Sequence, residues 1–440
     1  MRLESLRIKR FKSLYDVSLD FSKFRVLTGP NGSGKSNLVD AIGFLGEVYR
    51  FGTDYAVGRS GGIDSIAFRA RRRTTIGVQF VVKASLSLTE FTAGRTIRAR
   101  RLNLPDQQFS IEHSFTIKPA SGSSTSDYAV TEEVFTVHSD VDGERVEILW
   151  LASAEGADRQ LRMIDASAVH EDAHEVFRIV LGYVWRERER AAQEELFNIP
   201  ASQTGVGLDS IATAIPIFRE FRQRMSFIQA YRLNPTACRK PGALTPNASL
   251  ESDGGNLPAV VARTALRQNA VWQQVMSGMR HIMAGLEEIS TEPSPDSGGL
   301  VLKFHEAGGG RPWFAREVSD GTIQALALLI ALHDRRRPIV LIEEPENAIH
   351  PWVLRRFLED CREVGDRQVV LTTHSPVLLK LLRPEEVVLL WRTSGKSHIR
   401  PLLKTLPEAR DLYYEKGFDV FELYDSGLIP QSMPGNDAEG

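Results

Sequence analysis

Residues 25–45, RVLTGPNGSGKSNLVDAIGFL, carry the pattern GxxxxGK[ST] as Gly29 to Ser36 and constrain the chain more than any other stretch. Glycines let a backbone curl so that successive N–H groups point inward at phosphate oxygens, and a helix N-terminus adds its positive dipole end. Lys35 is placed to reach the β- and γ-phosphates, and the Ser36 hydroxyl to ligate Mg²⁺. The flanks agree: Val26 and Leu27 are strand-like, while Leu38, Ala41, Ile42 and Leu45 recur at helical spacing. The stretch reads as strand, phosphate-binding turn and helix, with Gly29, Pro30, Asn31, Gly32, Ser33, Gly34, Lys35, Ser36 and Asn37 as the nucleotide cradle.

A chain of 440 residues has room for two or three domains and a large core. Its formal charge of −2 excludes a chain that is basic throughout, so any nucleic-acid contact must come from local patches. Two cysteines, Cys238 and Cys361, cannot build a disulfide framework and imply a reducing compartment. The charged, alternating N-terminus MRLESLRIKRF reads as neither signal nor transit peptide. No apolar run reaches the roughly 18 residues of a membrane helix, which points to a cytoplasmic protein without a membrane partner.

Residues 3–24 alternate apolar and polar, predicting two strands joined near Ser13 to Asp16. Gly52 to Asp64 reads as turn-rich, and Ile76 to Val82 as a strand. Strand patterns recur at Phe109–Ile117, Val130–Val137 and Val146–Leu151, and Glu171 to Phe197 reads as helical. Tyr231 to Asn256 predicts a long loop, Leu257 to Glu288 a helical region and Leu300 to His305 a strand. Further on, EVSDGTIQALALLIALHDRRRP reads as a loop followed by a helix that is apolar nearly all round, hence buried. PIVLIEEPENAIHP and RQVVLTTHSP each hold an aliphatic strand of the kind buried in parallel sheets, with a helix between them. Residues 425–440 read as a flexible tail.

Ile339 to Ile342 end in Glu343 and Glu344, and carboxylates at the carboxyl end of a buried strand are costly unless they face a metal or a water. Glu343 can then hold Mg²⁺ and Glu344 polarise the attacking water; without a phosphate loop, a salt-bridged strand end would be the more ordinary reading. VSDGT before the buried helix offers Ser319 and backbone N–H groups to an anion, or simply a helix cap through Ser319 or Asp320. His374, after the next aliphatic strand, can touch a γ-phosphate or play a structural part.

Taken together and in this order, GPNGSGKS, VSDGT, VLIEEPENAIHP and LTTHSP resemble the ATPase head of the ABC/SMC superfamily, nearest the prokaryotic AAA-family ATPases grouped with RecF-type and OLD-type proteins. The likeness is strong over residues 1–42 and 317–376, while YRLNP and GGNLPAV match loosely. It implies an α/β P-loop NTPase of ABC/SMC-head type, a mixed sheet with flanking helices, split by an inserted α+β region. The expected parts are residues 1–88, the insertion 89–228, residues 229–424 and the tail 425–440. It also implies ATP and Mg²⁺ as cofactors and two composite sites in a head-to-tail homodimer, or a higher even-numbered oligomer. Carried over by position, Lys35 binds phosphates, Ser36 and Glu343 handle Mg²⁺, Glu344 is the catalytic glutamate and His374 the switch histidine. Ser319, Asp320 and Gly321 stand for the signature, and Lys12 and Ser13 approach the nucleotide from the N-terminal strands.

The chain departs from the family pattern in three places. Asp320 replaces a signature glycine, Glu343 the usual aspartate, and His350 stands at the dimer-loop aspartate position. For the glutamine loop Gln79 is the candidate, a plain strand residue the alternative. A separate effector such as a nuclease or toxin, nucleic acid, and a role in phage defence or DNA maintenance are implied by resemblance alone. A second class of function is a regulatory scaffold that binds ATP and barely turns it over. A third, a zinc metalloprotease, rests on HEDAH, His170 to His174, which satisfies HExxH but lacks a third ligand motif. The basic clusters Arg69–Arg73 and Arg95–Arg101 fit nucleic-acid phosphates or a solvated rim equally.

Overall fold

The structure, a computed structural model, describes residues 1–68, 77–92, 107–119, 128–141, 144–153, 159–163, 171–182, 197–199, 215–243, 245, 248–267, 269–295 and 298–429. The basic clusters at 69–73 and 95–101 lie outside the described residues, as does His170 of HEDAH.

The chain opens with β1 (Arg2–Phe11), β2 (Leu14–Asp20) and β3 (Phe24–Thr28), then α1 (Lys35–Phe51) and α2 (Thr53–Arg59). Strands β4 (Val78–Ser87), β5 (Gln108–Pro119), β6 (Tyr128–Val141), β7 (Glu144–Ser153) and β8 (Arg159–Met163) follow. Next come α3 (Glu171–Leu181), β9 (Phe197–Ile199), α4 (Pro216–Met225) and β10 (Gln229–Tyr231). Helices α5 (Leu257–Arg267) and α6 (Asn269–Ile282) lead to β11 (Leu286–Pro293), β12 (Leu300–Glu306) and β13 (Trp313–Phe314). The last third holds α7 (Asp320–His333), β14 (Ile339–Glu343), α8 (Pro351–Glu363), β15 (Gln368–Thr373), β16 (Val387–Thr393) and β17 (Lys396–Pro401).

Four sequence expectations change. The β1–β2 turn falls at Lys12–Ser13, where Lys12 takes a positive φ of 48°, and β2 has already begun at Leu14. Within Gly52 to Asp64, Thr53–Arg59 form the helix α2, with Gly52 at φ 89° as its N-cap, and residues 60–62 keep the turn. The helix from Glu171 ends at Leu181, with Gly182 at φ 67° closing it, residues 183–196 of the expected stretch lie outside the described residues, and Phe197 starts a strand. Leu257 to Glu288 is two helices and the start of β11 rather than one helical region.

Two compact units divide the chain. The first comprises residues 1–22, 40–228 and 392–399. Its strands run β2-β1-β4-β5-β6-β7-β8-β9, all antiparallel, with β17 beside β2. The inward positions of β1, β4, β5 and β6 carry Phe11, Phe80, Phe115 and Phe135, which pack with Phe44 and Phe221 into an aromatic core.

The second unit comprises residues 23–39, 229–391 and 400–440. Five strands in the order β10-β14-β15-β3-β16 run parallel wherever they pair in register. Aliphatic β14 and β15 are buried almost throughout, as interior parallel strands must be. In the same hydrophobic core lies α7, whose residues from Ile323 to Leu332 are all buried. This arrangement, with a glycine loop after β3 and β15 and β14 beside it, is a P-loop NTPase fold. A second sheet, β11-β12-β13, is antiparallel. No described helix is long and apolar enough to cross a membrane.

Candidate functional site

The second unit gathers most of the candidate residues. β3 stops at Thr28 and α1 starts at Lys35, and the loop between them turns on Gly32 (φ 77°) and Gly34 (φ 107°). A side chain at Gly29 would overlap the Leu390 carbonyl, so the backbone passes where only glycine fits. The loop closes on itself through Ser33 N–H donating to Pro30 O at 3.2 Å. Lys35 folds back over it, its ammonium donating to the Gly29 and Pro30 carbonyls at 2.7 and 3.1 Å. Burial holds that ammonium below its ordinary pKa, and the charges of Glu344, Glu343 and Glu346 oppose the shift. The Ser33 hydroxyl is buried in the same loop without a hydrogen-bond partner. An anion in the loop would give the Ser33 hydroxyl an acceptor that the protein alone withholds.

At the carboxyl end of β14, Glu343 accepts a hydrogen bond from the Ser36 hydroxyl at 2.5 Å. Its other oxygen takes the Arg232 guanidinium, which also donates to the Ser36 carbonyl at 3.3 Å. One hydroxyl and a carboxylate form the oxygen-rich donor set a hard cation such as Mg²⁺ takes, so Ser36 and Glu343 fit the metal role expected of them.

Glu344 has a φ of 47°, a left-handed conformation that costs a non-glycine residue free energy and marks functional turns. Its N–H donates to the Thr372 carbonyl at 3.0 Å, which ties the turn to the end of β15. One oxygen of its side chain meets His374 Nδ1 at 2.9 Å, and the other accepts from Asn347 at 3.2 Å. Glu344 and His374 are thus brought together at two neighbouring strand ends. Nearby, burial pushes the Glu346 carboxyl up, against the pull of the Thr373 hydroxyl at 2.6 Å.

Ser319 caps α7 by accepting from Thr322 N–H at 3.2 Å, the capping alternative open from sequence. Asp320 pairs with Arg239 at 2.5 Å, and Arg239 also donates to the Ala315 and Val318 carbonyls, so the acid in place of glycine anchors the loop. Gly321 lies under the Ala348 carbonyl. His350 caps α8 by accepting from Trp352 N–H at 3.3 Å. Lys12 and Ser13 belong to the first unit, where Lys12 pairs with Asp40 at 2.5 Å and Ser13 meets the Ser397 hydroxyl at 2.7 Å. Gln79 pairs within the same unit with Lys9 and Thr116 on neighbouring strands. His174 sits half-buried on α3, and no group of three or more metal-ligating side chains occurs among the described residues.

Arg232 was not among the residues the sequence singled out for chemistry. The signal was YRLNP, but β10 is only three residues long and carries no readable periodicity.

Two family models match the chain: "AAA domain, putative AbiEii toxin, Type IV TA system" over residues 189–380 and "RecF/RecN/SMC N terminal domain" over residues 2–55. Over 44 residues, 10% of this chain, it is 57% identical to the chromosome partition protein Smc of Methanocaldococcus jannaschii, covering 4% of that protein. Over 150 residues, 33% of this chain, it is 30% identical to the DNA replication and repair protein RecF of Beutenbergia cavernae, covering 34% of it. The chain therefore spans between a twenty-fifth and about a third of these relatives' length. Among solved structures, an Smc head bound to the C-winged helix domain of ScpA matches at 15% identity and a TM-score of 0.49, covering 91% of this chain and 98% of that one. The SMC head domain from Thermotoga maritima matches at 14% identity and a TM-score of 0.39, over 91% and 99%.

Proposed function

We infer, from the premise that the chain is an ABC/SMC-type ATPase head of the RecF-like group, that it binds ATP with Mg²⁺ and hydrolyses it. One observation carries the reading: Ser36 of the phosphate loop is hydrogen-bonded to Glu343, and the next residue, Glu344, is paired with His374. In this arrangement Lys35 and the loop N–H groups hold phosphates, and Ser36 with Glu343 holds the cation. The cation, when bound, neutralises phosphate charge. Glu344 orients and polarises the attacking water, and His374 keeps that carboxylate in place and faces the departing charge.

The capped loop Ser319–Gly321 makes its contacts with Thr322, Arg239 and Ala348, and presents the start of α7 outward, which suits a nucleotide on a second copy of the chain. ATP then closes a homodimer and hydrolysis opens it, with the change passed to nucleic acid or to an effector such as a nuclease or toxin. Antiviral defence or DNA maintenance is the setting this coupling serves. Both cysteines are free and buried, which suits the reducing cytoplasm.

Equilibrium titration with a fluorescent ATP analogue tests the reading. Lys35→Ala should weaken binding at least tenfold by a rough estimate, since a charge-assisted contact contributes about 1.5–3 kcal/mol. Equal affinity in wild type and variant would refute phosphate binding at this loop.

A further inference from the structure

We propose that Arg232 is a positioning residue that holds the cation's seat on Glu343 until nucleotide arrives. This rests on the ATP reading above and goes further, because it concerns how the site is loaded.

The backbone decides where Arg232 stands. Gln229, Ala230 and Tyr231 of β10 pair in parallel register with Val340, Leu341 and Ile342 of β14. One more step in that register sets residue 232 opposite residue 343. The segment beyond β10 is pinned there: Arg232 N–H donates to Ser252 O at 2.7 Å, and Asn234 N–H to Asp253 O at 3.0 Å. Asn234 in turn caps the short helix Pro235–Cys238. The side chain then bridges the Glu343 carboxylate and the Ser36 carbonyl.

Both Glu343 oxygens are thereby committed, one to the guanidinium and one to the Ser36 hydroxyl. A divalent cation and a guanidinium on one carboxylate repel each other, so the metal alone must displace Arg232 without offering it a new partner. A phosphate offers one, because the planar fork of guanidinium matches phosphate oxygens as it matches carboxylate. The Arg232 side chain is 49% exposed and can swing, whereas that of Glu343 is 12% exposed and stays as the fixed acceptor. Cation and nucleotide therefore bind cooperatively, each improving the other's affinity by the same factor.

The test titrates Mn²⁺ into the full chain without nucleotide, read by electron paramagnetic resonance. Wild type should bind weakly, and Arg232→Gln at least tenfold more tightly. Arg232→Lys, which keeps the charge, should stay near wild type and serves as a second variant should the first fold poorly. The gain must vanish in Arg232→Gln/Glu343→Gln. Mn²⁺ affinity in Arg232→Gln within twofold of wild type overturns the proposal, as does a gain that survives in the double variant. In a second arm, metal-free binding of a fluorescent ATP analogue should fall at least tenfold in Arg232→Gln, and unchanged binding overturns the transfer to phosphate. Wild type that binds no ATP analogue at all defeats the parent reading instead, and the Mn²⁺ results still decide whether Arg232 holds the seat.

Discussion

A methyl group at position 321 would sit 2.6 Å from the Ala348 carbonyl oxygen, closer than side-chain carbons come to any neighbour. Gly321→Ala should therefore push apart the Ser319–Gly321 loop and the turn after Glu344, where Ala348 itself holds a φ of 63°. Overpacking of this kind costs about 1–3 kcal/mol, and urea unfolding should show the midpoint falling with the slope unchanged. The residues of the phosphate loop and the strand ends were legible from sequence for a physical reason. Lys35 and Ser36 sit at fixed spacing from turn glycines, and Glu343, Glu344 and His374 follow aliphatic runs whose burial forces their last polar residues toward a site. Arg232 and Arg239 were not, because an arginine's partners here, Glu343 and Asp320, lie about a hundred residues away and only the fold brings them near.

Elements announced by long apolar periodicity formed as expected, and α7 is the clearest. At its last turn, burial pushes the His333 imidazole down to about 4, helped by Arg367 and Arg335. The unfolded chain takes up this proton near pH 6.5 and the folded chain only near 4, so between them the unfolded state binds more protons. Stability from neutral His333 is thus complete above pH 6.5 and is lost as pH falls toward 4. The loss amounts to about 3 kcal/mol on full titration. Urea midpoints measured from pH 7 to 5 should fall less steeply in His333→Gln than in wild type, and parallel slopes would exclude this histidine as the cause. Short elements escaped the sequence reading because seven residues, as in α2, give periodicity too little length to register.

At the scale of the whole molecule, the proposed site needs two chains: Lys35 of one and Ser319 of the other. Lys35→Ala loses phosphate contacts, and Ser319→Arg places bulk and charge at the start of α7, so each homodimer should be inactive. A mixed dimer holds one site with both lesions and one with neither, and activity should partly return on mixing. Light scattering alongside must show ATP-dependent dimers; full turnover by a protein that stays monomeric would exclude a shared site. The central claim is that this chain turns over ATP through Glu344. The most direct measurement is steady-state phosphate release by wild type and by Glu344→Gln, with bound nucleotide quantified in both. Glu344→Gln keeps shape and hydrogen bonding but removes the charge that polarises water, so it should release phosphate at least tenfold more slowly by a rough estimate while retaining ATP in a dimer. Equal turnover in the two proteins, or no release above background from wild type, would contradict the account.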